Sequence, residues 1–219
     1  SCMSLEEITI SEGVEIIEPK AFAYSKVRKV RIPQSLKEIG SSAFLSCDYL
    51  QDINIKDSNV EIVGPSAFKE CILLKEINFP KSLRVIGSSA FEKCSNLRSI
   101  YIPASTLEIG IGAFAECYNL VSIEVDRENK VYLHRDDNAS LVDSNKTLFF
   151  SIKGKIDEDI VNIGPNAFAN SFVRNIVIPE GVKSIGDNAF NCSKLLKTIS
   201  LPESLESIGK EAFANCVSL

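Results

Sequence analysis

Apolar positions recur along this chain in a fixed order. From Val27 to Tyr49 it reads VRKVRIPQSLKEIGSSAFLSCDY, with apolar side chains at Val27, Val30, Ile32, Leu36, Ile39, Ala43, Phe44 and Cys47. Val30 and Ile32 stand at period two, so the pattern predicts a short strand with one face inward. Pro33 ends that strand, because it has no amide hydrogen to give to a ladder. Leu36 and Ile39 add inward groups ahead of Gly40, a place that fits a backbone needing positive φ or close approach. Ala43 and Phe44 offer a small and a large inward group on an expected short helical or 3₁₀ turn, and C-x-x-L leads into the next strand.

The same order returns from units opening at Leu50, Leu74, Leu97, Val173 and Leu196, at spacings of 23, 24, 23, 76 and 23 residues from Val27 onward. An earlier unit opens at Leu5, Leu120 begins a strand-like LVSIEV, and a weaker unit near Ser151 ends in IVNIGPNAF. The Ala-Phe pair occurs eight times, at Phe22, Phe44, Phe68, Phe91, Phe114, Phe168, Phe190 and Phe213. The first unit departs from the glycine rule, with Glu18 in that place. One unit cannot bury its own apolar face, whereas stacked copies seal one another, so the repeat predicts a solenoid. One elongated domain over 1–219 is expected, interrupted at about 126–150.

The consensus L-x-x-I-x-I-P-x-S-L-x-x-I-G-x-x-A-F-x-x-C resembles the BspA-type leucine-rich repeat, a 23-residue class, over nearly the whole chain. The resemblance implies an α/β-type solenoid, mostly β, wound as a right-handed leucine-rich-repeat superhelix with a sheet on its concave face. It implies no enzyme activity and no cofactor. It also implies a protein-binding domain, cell-surface or secreted, that adheres to host, matrix or neighbouring-cell proteins. The alternative is a cytoplasmic structural scaffold that binds a partner within a larger assembly.

In the interruption, ASLV-DSNK-TLFF reads as a β-hairpin with its turn at Asp143–Lys146. It is expected to project from the solenoid or to lie along its edge, as a tolerated insertion or as a binding loop. His134, the only histidine, has no second imidazole with which to build a metal site. Of seven cysteines, Cys47, Cys71, Cys94, Cys117 and Cys216 follow the Ala-Phe pair at one offset, and Ser25, Ser171 and Ser193 take that place elsewhere. Cys2 shares the phase and Cys192 sits one residue early. Without C-x-x-C spacing they read as a line of small core side chains, although neighbouring coils could bring two within bridging distance.

The net charge of −5 and pI of about 5.1 leave no basic footprint for nucleic acid or anionic lipid. No apolar run reaches the roughly 18 residues of a membrane span. The outward strand positions read either as a merely solvated polar face or as a protein-binding face made of Arg31, Asn54, Glu76, Asn78, Tyr101 and Glu124, with Tyr101 and Arg31 as the anchor types. Asn138-Ala139-Ser140, Asn145-Lys146-Thr147 and Asn191-Cys192-Ser193 match the glycosylation acceptor pattern. The ends, CMSL and CVSL, read as closing segments of a unit, hence as a piece of a longer array prone to end-to-end self-association; the alternative reading has Ser1 and Cys2 preceding a native Met3.

Overall fold

The computed structural model describes residues 6–137, 139–151 and 154–219. Cys2, Leu5 and Asn138, singled out above, lie outside the described residues. The chain packs as two compact units, Ser1–His134 and Arg135–Leu219.

In the first unit most coils contribute two short strands. They are β1 (Glu7–Thr9) and β2 (Ile16–Ile17), then β3 (Lys29–Arg31) and β4 (Glu38–Ile39), then β5 (Asp52–Asn54) and β6 (Ile62–Val63). The Leu74 coil supplies only β7 (Val85–Ile86); the Leu97 coil supplies β8 (Ser99–Ile102) and β9 (Glu108–Ile109), and β10 (Ser122–Val125) opens the last coil. Like strands stack in parallel, in the order β2-β4-β6-β7-β9 for the second strands. The first strands form two separate ladders, β1-β3-β5 and β8-β10, with a lone bridge from Glu76 to Ser99.

The period-two prediction holds. Val30, Ile53, Ile77, Ile100 and Ile123 are buried, as are Ile32, Ile55, Phe79, Ile102 and Val125 two residues on. Phe22, Phe44, Phe68, Phe91 and Phe114 stack ring on ring, with centroids 5.2 to 5.8 Å apart. Five rings at near-parallel offset bury large area in one column and keep the coils in register.

The Ala-Phe segment is not helical, which corrects the expected helical or 3₁₀ turn. It is a chain of tight turns bounded by two left-handed residues, for example Ser42 (φ 57°) before Ala43 and Ser46 (φ 52°) after Phe44. Those inversions aim the amides of Ser42, Phe44 and Ser46 at the carbonyls of Pro65, Ala67 and Lys69 in the next coil, each at 2.8 Å. The amides between them, of Ala43, Leu45 and Cys47, close local turns on the carbonyls of Gly40, Ser42 and Phe44, each at 3.1 Å, so local and inter-coil bonds alternate. The conserved-phase glycines serve close approach, the second of the two options open in the sequence. A Cβ on Gly87 would lie 2.4 Å from the Pro65 nitrogen, and one on Gly110 would lie 2.3 Å from the Ser88 nitrogen.

The interruption divides between the two units. In the first, Asn129 is buried and fully paired: its amide donates to the carbonyls of Pro103 (2.7 Å) and Thr106 (3.1 Å), and its oxygen accepts from the amides of Val131 and Tyr132. Tyr132, also buried, accepts a 2.6 Å bond from the Ile109 amide, so it closes the β9 edge in place of a further strand.

The second unit opens with the predicted hairpin, β11 (Ser140–Val142) against β12 (Thr147–Ser151). Asp143 holds the turn, accepting from the amides of Asn145 and Thr147, each at 2.9 Å. Beyond it lie β13 (Asn162–Ile163), β14 (Asn175–Val177), β15 (Ser184–Ile185), β16 (Thr198–Ser200) and β17 (Ser207–Ile208). The hairpin lies along the edge and is more than a tolerated insertion: β12 pairs in parallel with β13, giving the sheet order β11-β12-β13-β15-β17. β11 is buried throughout. Phe168, Phe190 and Phe213 repeat the ring stack at 4.9 and 5.2 Å.

Candidate binding face

The outward side chains of the first strands in the first unit form the candidate site, and ladder register decides which of them meet. Arg31 pairs with Thr9 on one side and Asn54 on the other. Its guanidinium is 2.9 Å from Asp52 and 3.7 Å from Glu7, so it ties three strands together. An exposed pair of this kind is worth about 0–1 kcal/mol, and Arg31 acts as much as a strap as an anchor. Asn54 is also engaged, accepting a 2.8 Å bond from the Ile32 amide. Glu76 and Asn78 are exposed in the stretch that lacks a ladder. Tyr101 and Glu124 are register partners, and Tyr101 keeps 41% of its surface exposed.

The Tyr101 hydroxyl donates to Asp126. The bond to this carboxylate, with some burial, pushes the phenol up to about 12. The same bond, with the Glu128 amide on the other oxygen, holds Asp126 below the usual carboxylate range. The ring is thus held by its tip, with its body left accessible.

Sequence reasoning missed the break in the first ladder. Among the described residues no backbone bond joins Gln51–Asn54 to Lys75–Asn78, although the second strands of the same coils pair normally. The cause is the 24-residue spacing. Between Ile55 and Val60 this coil carries four residues, Lys56-Asp57-Ser58-Asn59, where its neighbours carry three. Ser58 folds back on Ile55 (2.6 Å) and is buried, whereas Ser35, Ser82 and Ser105 at this corner each bond the preceding coil. The corner beside the extra residue is an open groove of about 780 Å³ that includes Asn78 and Tyr101. The 24-residue spacing was the signal that could have found it.

Cys47, Cys71, Cys94 and Cys117 are core, as read, whereas Cys192 and Cys216 are half-buried. Each of Cys47, Cys71, Cys94 and Cys117 donates to the carbonyl of the preceding coil's phenylalanine at 3.1 to 3.2 Å. Burial pushes Cys71 and Cys94 well above the thiol range and Cys117 up to about 12. The six described cysteines are free. His134 sits with Nδ1 2.8 Å from the Val125 carbonyl, and among the described residues no group of histidine, cysteine and acidic side chains is placed to hold a metal. In the second unit Arg135 makes a two-point bond to Asp159 at 3.0 and 3.1 Å, and Lys146 joins it at 2.7 Å. Of the acceptor patterns, Asn145 is exposed in its turn, while Ser193 is fully buried. No helix among the described residues is long and apolar enough to cross a membrane.

Stacked parallel coils with a shared phenylalanine column and varied outward strand positions define a leucine-rich-repeat solenoid that presents a surface. Residues 1–130 and 151–219 match the family model described as the BspA type leucine rich repeat region, in six copies, so the chain belongs to the BspA-type leucine-rich-repeat family. Among solved structures it is similar to a Treponema pallidum leucine-rich-repeat protein, TpLRR (25% identity, TM-score 0.53, covering 98% of this chain and 78% of that one). It is also similar to the pneumococcal vaccine antigen PcpA (21%, TM-score 0.61), covering 94% of this chain and 56% of that one. A third is a leucine-rich-repeat protein from Bacteroides ovatus (22%, TM-score 0.59, covering 98% and 73%). No curated protein matches the chain in sequence.

Proposed function

We propose that this chain is a non-enzymatic adhesion domain, displayed on a cell surface or secreted, that grips a protein of a host, a matrix or a neighbouring cell. The contact runs along the outward first-strand face of the Ser1–His134 unit. The observation that carries this reading is where the repeat varies. In that unit the inward strand positions hold isoleucine, valine or phenylalanine in every coil, whereas the outward ones change from coil to coil: Lys29 and Arg31, Asp52 and Asn54, Glu76 and Asn78, Ser99 and Tyr101, Ser122 and Glu124. Burial demands sameness, whereas the outward positions escape that demand and are open to recognition on a rigid face. The names of two similar structures, a vaccine antigen and a leucine rich cell surface protein of Faecalibacterium prausnitzii, add support for the surface location.

A second reading, an intracellular scaffold within a larger assembly, draws on the six free thiols, which suit a reducing compartment. Protease shaving and antibody labelling of intact source cells separates the two. Cleavage and labelling on intact cells bear out the adhesin; protection until lysis sinks it.

A further inference from the structure

The groove beside the extra residue is a feature of the first unit that the repeat does not account for, and its lining has a definite chemistry. Lys56, Asp57 and Asn59 come from the lengthened corner, Asn78 and Lys81 from the next coil, and Tyr101 from the coil after that. All six are exposed. The charges are mixed: an anion would meet Asp57, and a cation would meet two lysines. An apolar segment would strip water from two amides and three charged groups without replacing their hydrogen bonds. A polyhydroxylated ligand has none of these conflicts. Each hydroxyl both donates and accepts, so it can serve ammonium, amide and carboxylate together, and the C–H face of a sugar ring packs on an aromatic body.

We propose that this groove is a carbohydrate subsite that takes two or three rings of a neutral oligosaccharide, with Tyr101 as the stacking platform. Its volume of about 780 Å³ falls in the range of small-ligand sites, roughly 300–1,000 Å³. Asp126 holds the Tyr101 hydroxyl, so the platform is set before the ligand arrives. Asn59 and Asn78 would offer their amides to ring hydroxyls, and Lys56, Asp57 and Lys81 would offer charged partners. The subsite goes beyond protein adhesion and does not depend on it.

The test is amide-resolved NMR titration of the whole chain with cellotriose, maltotriose and N-acetylchitotriose. At least one probe should give saturable shifts at Asn59, Asn78, Lys81 and Tyr101. Tyr101→Ala should weaken that binding about tenfold and leave the rest of the spectrum in place. Deleting Asn59, which restores the three-residue corner, should abolish it. Absence of shifts in these residues up to about 10 mM of all three probes overturns the proposal. So do shifts that Tyr101→Ala leaves unchanged. Loss of protein capture with sugar binding intact would count against the adhesin reading alone.

Discussion

The two units are wound from the same coil, yet they fill one position differently. In the first, the place after Ala-Phe holds Ser25 and then Cys47, Cys71, Cys94 and Cys117; in the second it holds Ser171, Ser193 and Cys216. The geometry is common to both. Ser193 donates to the Phe168 carbonyl at 2.7 Å and Cys216 to that of Phe190 at 3.1 Å, as the first unit's thiols do to theirs. The phenylalanine carbonyl already accepts one bond within its own coil, as Phe68 does from the Cys71 amide at 3.1 Å, and the side chain fills its second lone pair. The position therefore asks for a small donor and not for sulfur chemistry. Thiols whose ionisation is suppressed by burial also make poor nucleophiles and poor redox sites.

The comparison breaks first at the aromatic column. Phe91→Ala in one unit and Phe190→Ala in the other should each cost about 3–5 kcal/mol, because both rings are fully buried in stacks of the same spacing. Denaturant unfolding checks this, and a much cheaper loss in one unit would show that its stack is not the main tie. The donor line gives a smaller effect. Cys94→Ser should cost less than about 1 kcal/mol, whereas Cys94→Val and Ser193→Ala should each cost about 1–3. Equal costs for serine and valine at Cys94 would return the position to plain packing. The smallest effect concerns one titration. Tyr101 should ionise near 12, and Asp126→Asn should bring it down toward an ordinary phenol, followed by NMR of the ring carbon that bears the hydroxyl. Because the folded pKa is raised, the stability from this bond is fully present below the unfolded value of about 10. It is lost as pH rises from there through about 12.

Much of this fold was legible because each coil meets only its neighbours. A buried position in one coil is buried in the next, so Val30, Ile53 and Ile77 carry one message many times over. The hairpin turn was legible for a local reason: Asp143 bonds amides two and four residues on, well within reach of sequence reading. Tyr132 was not legible, since its bond to Ile109 spans 23 residues and follows no repeat phase. Asn54, Glu76, Asn78, Tyr101 and Glu124 are exposed and Arg31 is half-buried, but their engagements were not foreseen. Arg31 and Asn54 are tied to neighbouring strands through partners that exist only once the register is set.

The sequence by itself determined the coil, its inward set and the column of rings, because period and side-chain volume suffice to say which groups need burial. It left open whether the glycines serve positive φ or close approach. Only the stacked coils decide that, since a Cβ on Gly87 has no obstacle until Pro65 of the coil before it lies 2.4 Å away. Tertiary structure likewise made a groove out of one surplus residue. Lys56-Asp57-Ser58-Asn59 is an ordinary loop in isolation, and it borders a groove only where the next coil's first strand does not pair with its own.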